Sequence, residues 1–206
     1  MGTHTAVAER VQQRRRGAAL EDAIVQAAYD ELTEVGYTAF TIEGVAARAK
    51  TGKASIYRRW PSKQLLVLDA LLLQLPTPAD CGIVPEIPDH VTTADALHNV
   101  ARVMAGVMTS PAGQAMRAIK TEAATDTEFA KVIDERFQEP RRQAMLTLLA
   151  RGVERGEVRP EAVTPLVADV LPAVVTHRIV FQGEPLTDQV LMDIMNQVML
   201  PLVTPR

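Results

Sequence analysis

The stretch 41-TIEGVAARAKTGKASIYRRWPSK-63 decides how this chain folds. Thr41 is an N-cap residue by type and precedes a short helix, Ile42 to Ala49. Lys50-Thr51-Gly52 reads as a turn, and a second short helix follows it and ends before Pro61. Two short helices joined by a tight turn form a helix-turn-helix. Val45, Ala46 and Ile56 are spaced to make the small apolar contact between them, and Ala46 lets the backbones approach. A helix that presents its leading end to a DNA major groove has no use for large apolar residues there. Here that end is Gly52, Lys53, Ala54 and Ser55. Tyr57, Arg58, Arg59 and Lys63 then supply donors for phosphates on either side. Trp60 reads as the apolar plug behind them. For Tyr57 a core position and a DNA-facing one stay open.

Working outward, almost every segment carries helical periodicity. Leu20, Ile24, Ala27, Ala28, Leu32 and Val35 recur at three-to-four spacing, and Gly36 ends the run. Ser62 caps a longer helix through Leu75, stopped by Pro76. Residues 76–90, PTPADCGIVPEIPDH, form the clearest linker. Beyond it, helices are predicted at 93–109, 111–124, 127–138, 140–155, 164–182 and 187–200. Ser110-Pro111 and Thr164-Pro165 are N-cap and first-turn pairs. Thr125 with Glu128 fits a capping box, and Pro172 should kink its helix. No strand pattern of useful length is present. The predicted fold class is all-α. Residues 1–17 form a flexible basic arm, 18–63 the helix-turn-helix domain, 64–75 a connecting helix and 76–206 a larger helical bundle.

Bulk composition agrees with a folded chain. An apolar fraction of 47% and a charged fraction of 23% exclude wholesale disorder. Residues 1–63 hold 10 Lys and Arg against 7 Asp and Glu, whereas the rest holds 12 against 18. A basic front on an acidic body suggests that the front faces a polyanion. Arg14, Arg15 and Arg16 precede the first helix; a minor-groove arm and a weakly attracted tail are both open readings. The lone Cys81 cannot form an internal disulfide, which points to a reducing cytoplasm. The most apolar run, Leu65 to Leu75, is too short to span a bilayer and is interrupted by Asp69.

Catalytic signatures are absent. The sequence has no Gly-rich phosphate loop, no G-x-S-x-G and no H-E-x-x-H. Its four histidines are scattered without ligand spacing, so neither a metal nor a cofactor is expected. An all-α ligand-binding protein or enzyme with an incidental basic segment is the competing class, and a sequence-neutral DNA binder is a third.

Gly36-Tyr37, Thr41, Ala46-Ala47, Ala49, Ile56-Tyr57-Arg58, Trp60 and Pro61-Ser62-Lys63 together resemble the DNA-binding domain of the TetR family of bacterial regulators. The resemblance covers about residues 18–75. It implies base-edge or near-base roles for Lys53, Ala54 and Tyr57, and phosphate roles for Thr41, Ser55, Tyr57, Arg58, Arg59 and Lys63. Two positions depart from the family pattern. Lys50 stands where many relatives have glycine, which puts a non-glycine residue at a left-handed turn. Gly52 replaces the common Ser or Thr N-cap.

The resemblance also implies a homodimeric, ligand-responsive repressor on a palindromic operator. Its last two helices, 164-TPLVADVLPAVVTHRIVFQG-183 and 187-TDQVLMDIMNQVML-200, are apolar over more than one stripe and so need burial on several sides. In the family this pair meets its symmetry mate. Methionines gather in the same half. Met104, Met108, Met116 and Met145, with His177, are candidate lining for an apolar effector; plain core filling is the commoner role of such methionines, and a core or interface position that of such a histidine.

Overall fold

The computed structural model describes residues 2–81, 83, 91–183 and 186–205, with side chains described from residue 17 onward. Most of the proline-rich linker, the side chains of Arg14, Arg15 and Arg16, and residues 184–185 lie outside the described residues. The described chain is helical without strands. It divides into two compact units, Met1–Gln74 with Ala115–Thr121, and Leu75–Gln114 with Glu122–Arg206.

The first unit contains α1 (Gly2–Ala39), α2 (Ile42–Arg48), α3 (Lys53–Tyr57) and α4 (Lys63–Gln74). The backbone of the basic stretch at 14–16 is helical and continuous with α1. Its Ala, Gln, Arg and Glu content favours helix, and no proline interrupts it. At Gly36 the backbone leaves helical geometry at φ 75°, where a glycine fits without penalty. Ile24, Ala28 and Leu32 of α1 form an apolar core with Val45, Ile56, Leu66, Leu68 and Leu71, all nearly inaccessible to solvent. A methyl group at Gly44 would stand 2.0 Å from a carboxylate oxygen of Glu31. That buried carboxylate receives the Arg48 Nε–H at 2.7 Å, and a second Arg48 nitrogen bonds Glu34. α2 is therefore clamped to α1 by an ion pair as well as by apolar contact.

The second unit is built from α5 (Thr93–Thr109), α6 (Pro111–Ala123), α7 (Thr127–Ile133), α8 (Glu139–Glu154), α9 (Pro165–His177), α10 (Asp188–Ile194) and α11 (Leu200–Val203), with the middle of α6 grouped in the first unit. A capping box formed by Thr92 and Asp95 starts α5. The α7 cap is Asp126, whose Oδ1 accepts from Phe129 N–H at 3.0 Å, and not Thr125. A carboxylate one residue closer to the helix satisfies the same orphan donor and suits the positive end of the helix dipole. A wide turn over Asp134–Gln138 carries α7 into α8, and another over Met195–Met199 carries α10 into α11. Pro140 and Pro201 stand two residues beyond the ends of these turns. The wider spiral accommodates a ring that lacks an N–H and collides with regular α geometry. The predicted break before 140 is thus a continuous helix. Leu97, Leu148, Leu149, Leu171, Val175, Ile194, Met195 and Met199 fill the core of this unit.

Candidate nucleic-acid interface

The turn that aims α3 is set by backbone geometry. After the C-cap Ala49, Lys50 takes a positive φ of 49°. Thr51 N–H then donates to Ala46 O at 3.0 Å, and Lys50 N–H to Ala47 O at 3.3 Å. This paired closure is the Schellman motif, usually completed by glycine at the left-handed position. Thr41 caps α2 through its hydroxyl oxygen, which accepts from Gly44 N–H at 3.0 Å. The hydroxyl hydrogen keeps its donor capacity.

α3 buries one residue, Ile56. Lys53, Ala54, Tyr57 and Arg58 of this helix and its C-cap are exposed, with Tyr57 at 50%, so Tyr57 is a surface side chain. Gly52 is the N-cap, with extended geometry and no side-chain bond. Arg59 folds back, donating from Nη1 to both the carbonyl and the hydroxyl of Ser55 at 2.9 and 3.0 Å. Lys63 turns toward the end of α1. Its ammonium donates to Tyr37 O at 2.8 Å and lies 4.3 Å from the centre of the Tyr37 ring. Thus Lys53, Ala54, Tyr57 and Arg58 are exposed, while Ser55, Arg59 and Lys63 are partly buried and bonded to neighbouring protein groups.

Two side chains that the sequence reading left without a role act here. Glu43 accepts from Lys53 Nζ at 2.7 Å. The bond holds the Glu43 carboxyl below its ordinary range and raises the Lys53 ammonium above its own. Asp69 accepts the Trp60 indole N–H at 2.7 Å, with Trp60 only 4% exposed. Asp69 could have been found: one carboxylate in the apolar run 65–75 needs a buried donor. Glu43 carries no such signal, because the pair spans the turn.

In the second unit the candidate effector residues separate. Met145 is buried in the core, and Met104 and Met108 pack against it partly buried. Met116 falls in the α6 segment grouped with the first unit. His177 is exposed and stacks on Phe181, ring centres 5.5 Å apart. Met195 is fully buried, on the same face of its helix as the buried Leu191. The outward apolar residues are Leu166, Val180, Phe181, Met192 and Val198. No helix among the described residues is long and apolar enough to cross a membrane, and no cluster there could hold a metal.

A helical head that exposes lysine, tyrosine and arginine on a helix-turn-helix belongs to the DNA-binding regulators. Residues 24–70 match the family described as bacterial regulatory proteins, tetR family, and residues 87–198 match the tetracyclin repressor-like C-terminal domain. The chain is a member of the TetR family of helix-turn-helix transcriptional regulators. It is 30% identical over 185 residues to the uncharacterized HTH-type transcriptional regulator YdeS of Bacillus subtilis, covering 88% of each chain. It is 27% identical to the DNA-binding transcriptional repressor TetR of Mycobacteroides abscessus, covering 92% of this chain and 97% of that one. Among solved structures, the TetR family transcription regulator SCO0332 superposes with a TM-score of 0.73 at 27% identity, covering 90% of this chain and 99% of that one.

Proposed function

We propose that the chain is a homodimeric repressor that reads a palindromic operator through α3 and releases it when a small apolar effector binds the second unit. It works in the cytoplasm by binding alone, without catalysis. The observation that carries the reading is α3 itself, anchored by Ile56 and otherwise presenting Lys53, Ala54 and Tyr57 outward. Lys53 and Ala54 lead toward base edges; Gly52, without a side chain, lets the backbone come close. Thr41, Ser55, Tyr57, Arg58, Arg59 and Lys63 serve phosphates, with Arg59 and Lys63 exchanging their present acceptors for phosphate oxygens. The outward apolar residues from Leu166 to Val198 supply the surface for the second copy. Met104, Met108 and Met145, which belong to or pack on the core of the second unit, are the effector candidates. An effector shifts the equilibrium only by binding one head spacing better than the other.

The test is a mobility-shift titration with duplex DNA from upstream of the chain's own gene, repeated across salt. Log affinity should fall linearly with log salt. Arg58→Ala should weaken all sequences alike and lower the slope by about one per protomer. Lys53→Ala should change base preference, a good base contact being worth roughly 1–3 kcal/mol of discrimination. The reading fails if Lys53→Ala leaves preference intact while Arg58→Ala alters it.

A further inference from the structure

We propose that Glu43 is a specificity-determining residue that acts through Lys53, positioning its ammonium at the leading end of α3 and withholding it from general phosphate binding. The inference rests on the reading of Lys53 as a base-facing residue. Glu43 is the second residue of α2 and Lys53 the first of α3, and the turn brings Oε1 and Nζ to 2.7 Å. Both side chains are largely exposed, at 65% and 54%, so the pair lies on the solvent face of the motif. An exposed pair contributes little to stability. The core of the head is made elsewhere, and α2 is already fixed to α1 by Glu31 and Arg48.

Placed on this face, the pair has consequences for DNA. A lysine is a point charge on a flexible stem and reaches any phosphate nearby. Tied to Glu43, it holds one direction, and the neighbouring carboxylate repels phosphate oxygens. The ammonium keeps two further donor hydrogens for acceptors on a base edge, such as guanine O6 and N7. Glu43 thus lowers affinity for every sequence and spares the one in which Lys53 finds a base acceptor, which is how a repulsive group raises specificity.

The experiment compares wild type, Glu43→Gln, Glu43→Asp, Lys53→Gln and the Glu43→Gln/Lys53→Gln double variant. Two probes serve, a randomised duplex library and one scrambled duplex, each titrated across salt. Glu43→Gln should bind the scrambled duplex several-fold more tightly, with a salt slope steeper by up to one per protomer. It should also relax base preference at the position that Lys53→Gln alters. Glu43→Asp, which keeps the charge, should retain more discrimination than Glu43→Gln. In the Lys53→Gln background the Glu43 substitution should leave base preference unchanged, and only the carboxylate's own repulsion of phosphate should remain. The inference is overturned if Glu43→Gln leaves both quantities unchanged, or if its effect on base preference persists undiminished without Lys53. If Lys53→Gln itself leaves base preference intact, the underlying reading fails and this inference with it; a shift with Lys53→Gln beside a silent Glu43→Gln defeats this inference alone.

Discussion

Trp60 offers a direct measure of what holds the DNA-reading head together. It is the only tryptophan in the chain and is 4% exposed. A tryptophan buries roughly 150–250 Å², worth about 4–6 kcal/mol at ~25 cal/mol per Å². Measured truncations of large aromatic core residues to alanine cost about 3–5 kcal/mol. Trp60→Ala also removes the indole N–H that Asp69 accepts at 2.7 Å, a further loss of about 1.5–3 kcal/mol for a hydrogen bond to a charged group. A unit of this size holds only ~4–11 kcal/mol in total. Trp60→Ala should therefore leave the head unfolded or nearly so at ambient temperature. Trp60→Phe keeps most of the ring and loses the hydrogen bond, so it should cost markedly less than the alanine substitution. Urea unfolding followed by circular dichroism for both variants, with wild-type indole fluorescence reporting on the head, makes the comparison. A loss below about 1 kcal/mol for Trp60→Ala would refute the plug, since no core tryptophan is that cheap to remove. Equal losses for Phe and Ala would refute the division between packing and hydrogen bond.

Three further outcomes are expected. Lys50→Gly relieves the left-handed residue of the Schellman turn and should stabilise the head by up to about 1 kcal/mol, the relief being partly offset by glycine's freedom in the unfolded chain; no gain in urea midpoint would count against strain there. Leu166→Asp or Phe181→Glu, on outward apolar positions, should give monomers with weakened operator binding, whereas sedimentation of a monomeric wild type at micromolar concentration would remove the dimer from the proposal. The Asp95 carboxyl is held below its ordinary range by the Thr92 hydroxyl and then by the Thr92 backbone N–H. A depressed folded-state pKa means that this cap contributes fully above the unfolded value, about 3.9, and fades as pH falls through the lower folded value. The stability gap between wild type and Thr92→Val should accordingly be flat from neutral pH down to about 5 and shrink below about 4; a gap that widened on acidification would contradict it.

The all-helical class and the helix-turn-helix were legible because local chemistry enforces them. Thr41 and Thr164 are caps in the structure as in the sequence, and α5 spans the residues its periodicity predicts. What escaped depends on contacts across the turn or along the spiral. Asp126 rather than Thr125 caps α7, since both are competent by type and only backbone direction chooses. At the candidate interface, Lys53, Ala54, Tyr57 and Arg58 are exposed as a groove-facing helix requires. Lys63 and Arg59 occupy acceptors on Tyr37 and Ser55 that residue type could not reveal.

α3 spans five residues and is held to the protein by a single buried side chain, Ile56. On the proposed reading, anchorage and base contact fall on different residues of the same short segment. Lys53, Ala54 and Tyr57 can be exchanged as a cassette, because none of them fills the core that Ile56, Trp60 and Val45 complete. The limit of such rewriting lies outside the helix, at Glu43. A new letter at position 53 that cannot meet that carboxylate leaves an unbalanced negative charge on the reading surface. A redesigned vocabulary for this protein must be written at 43 and 53 together.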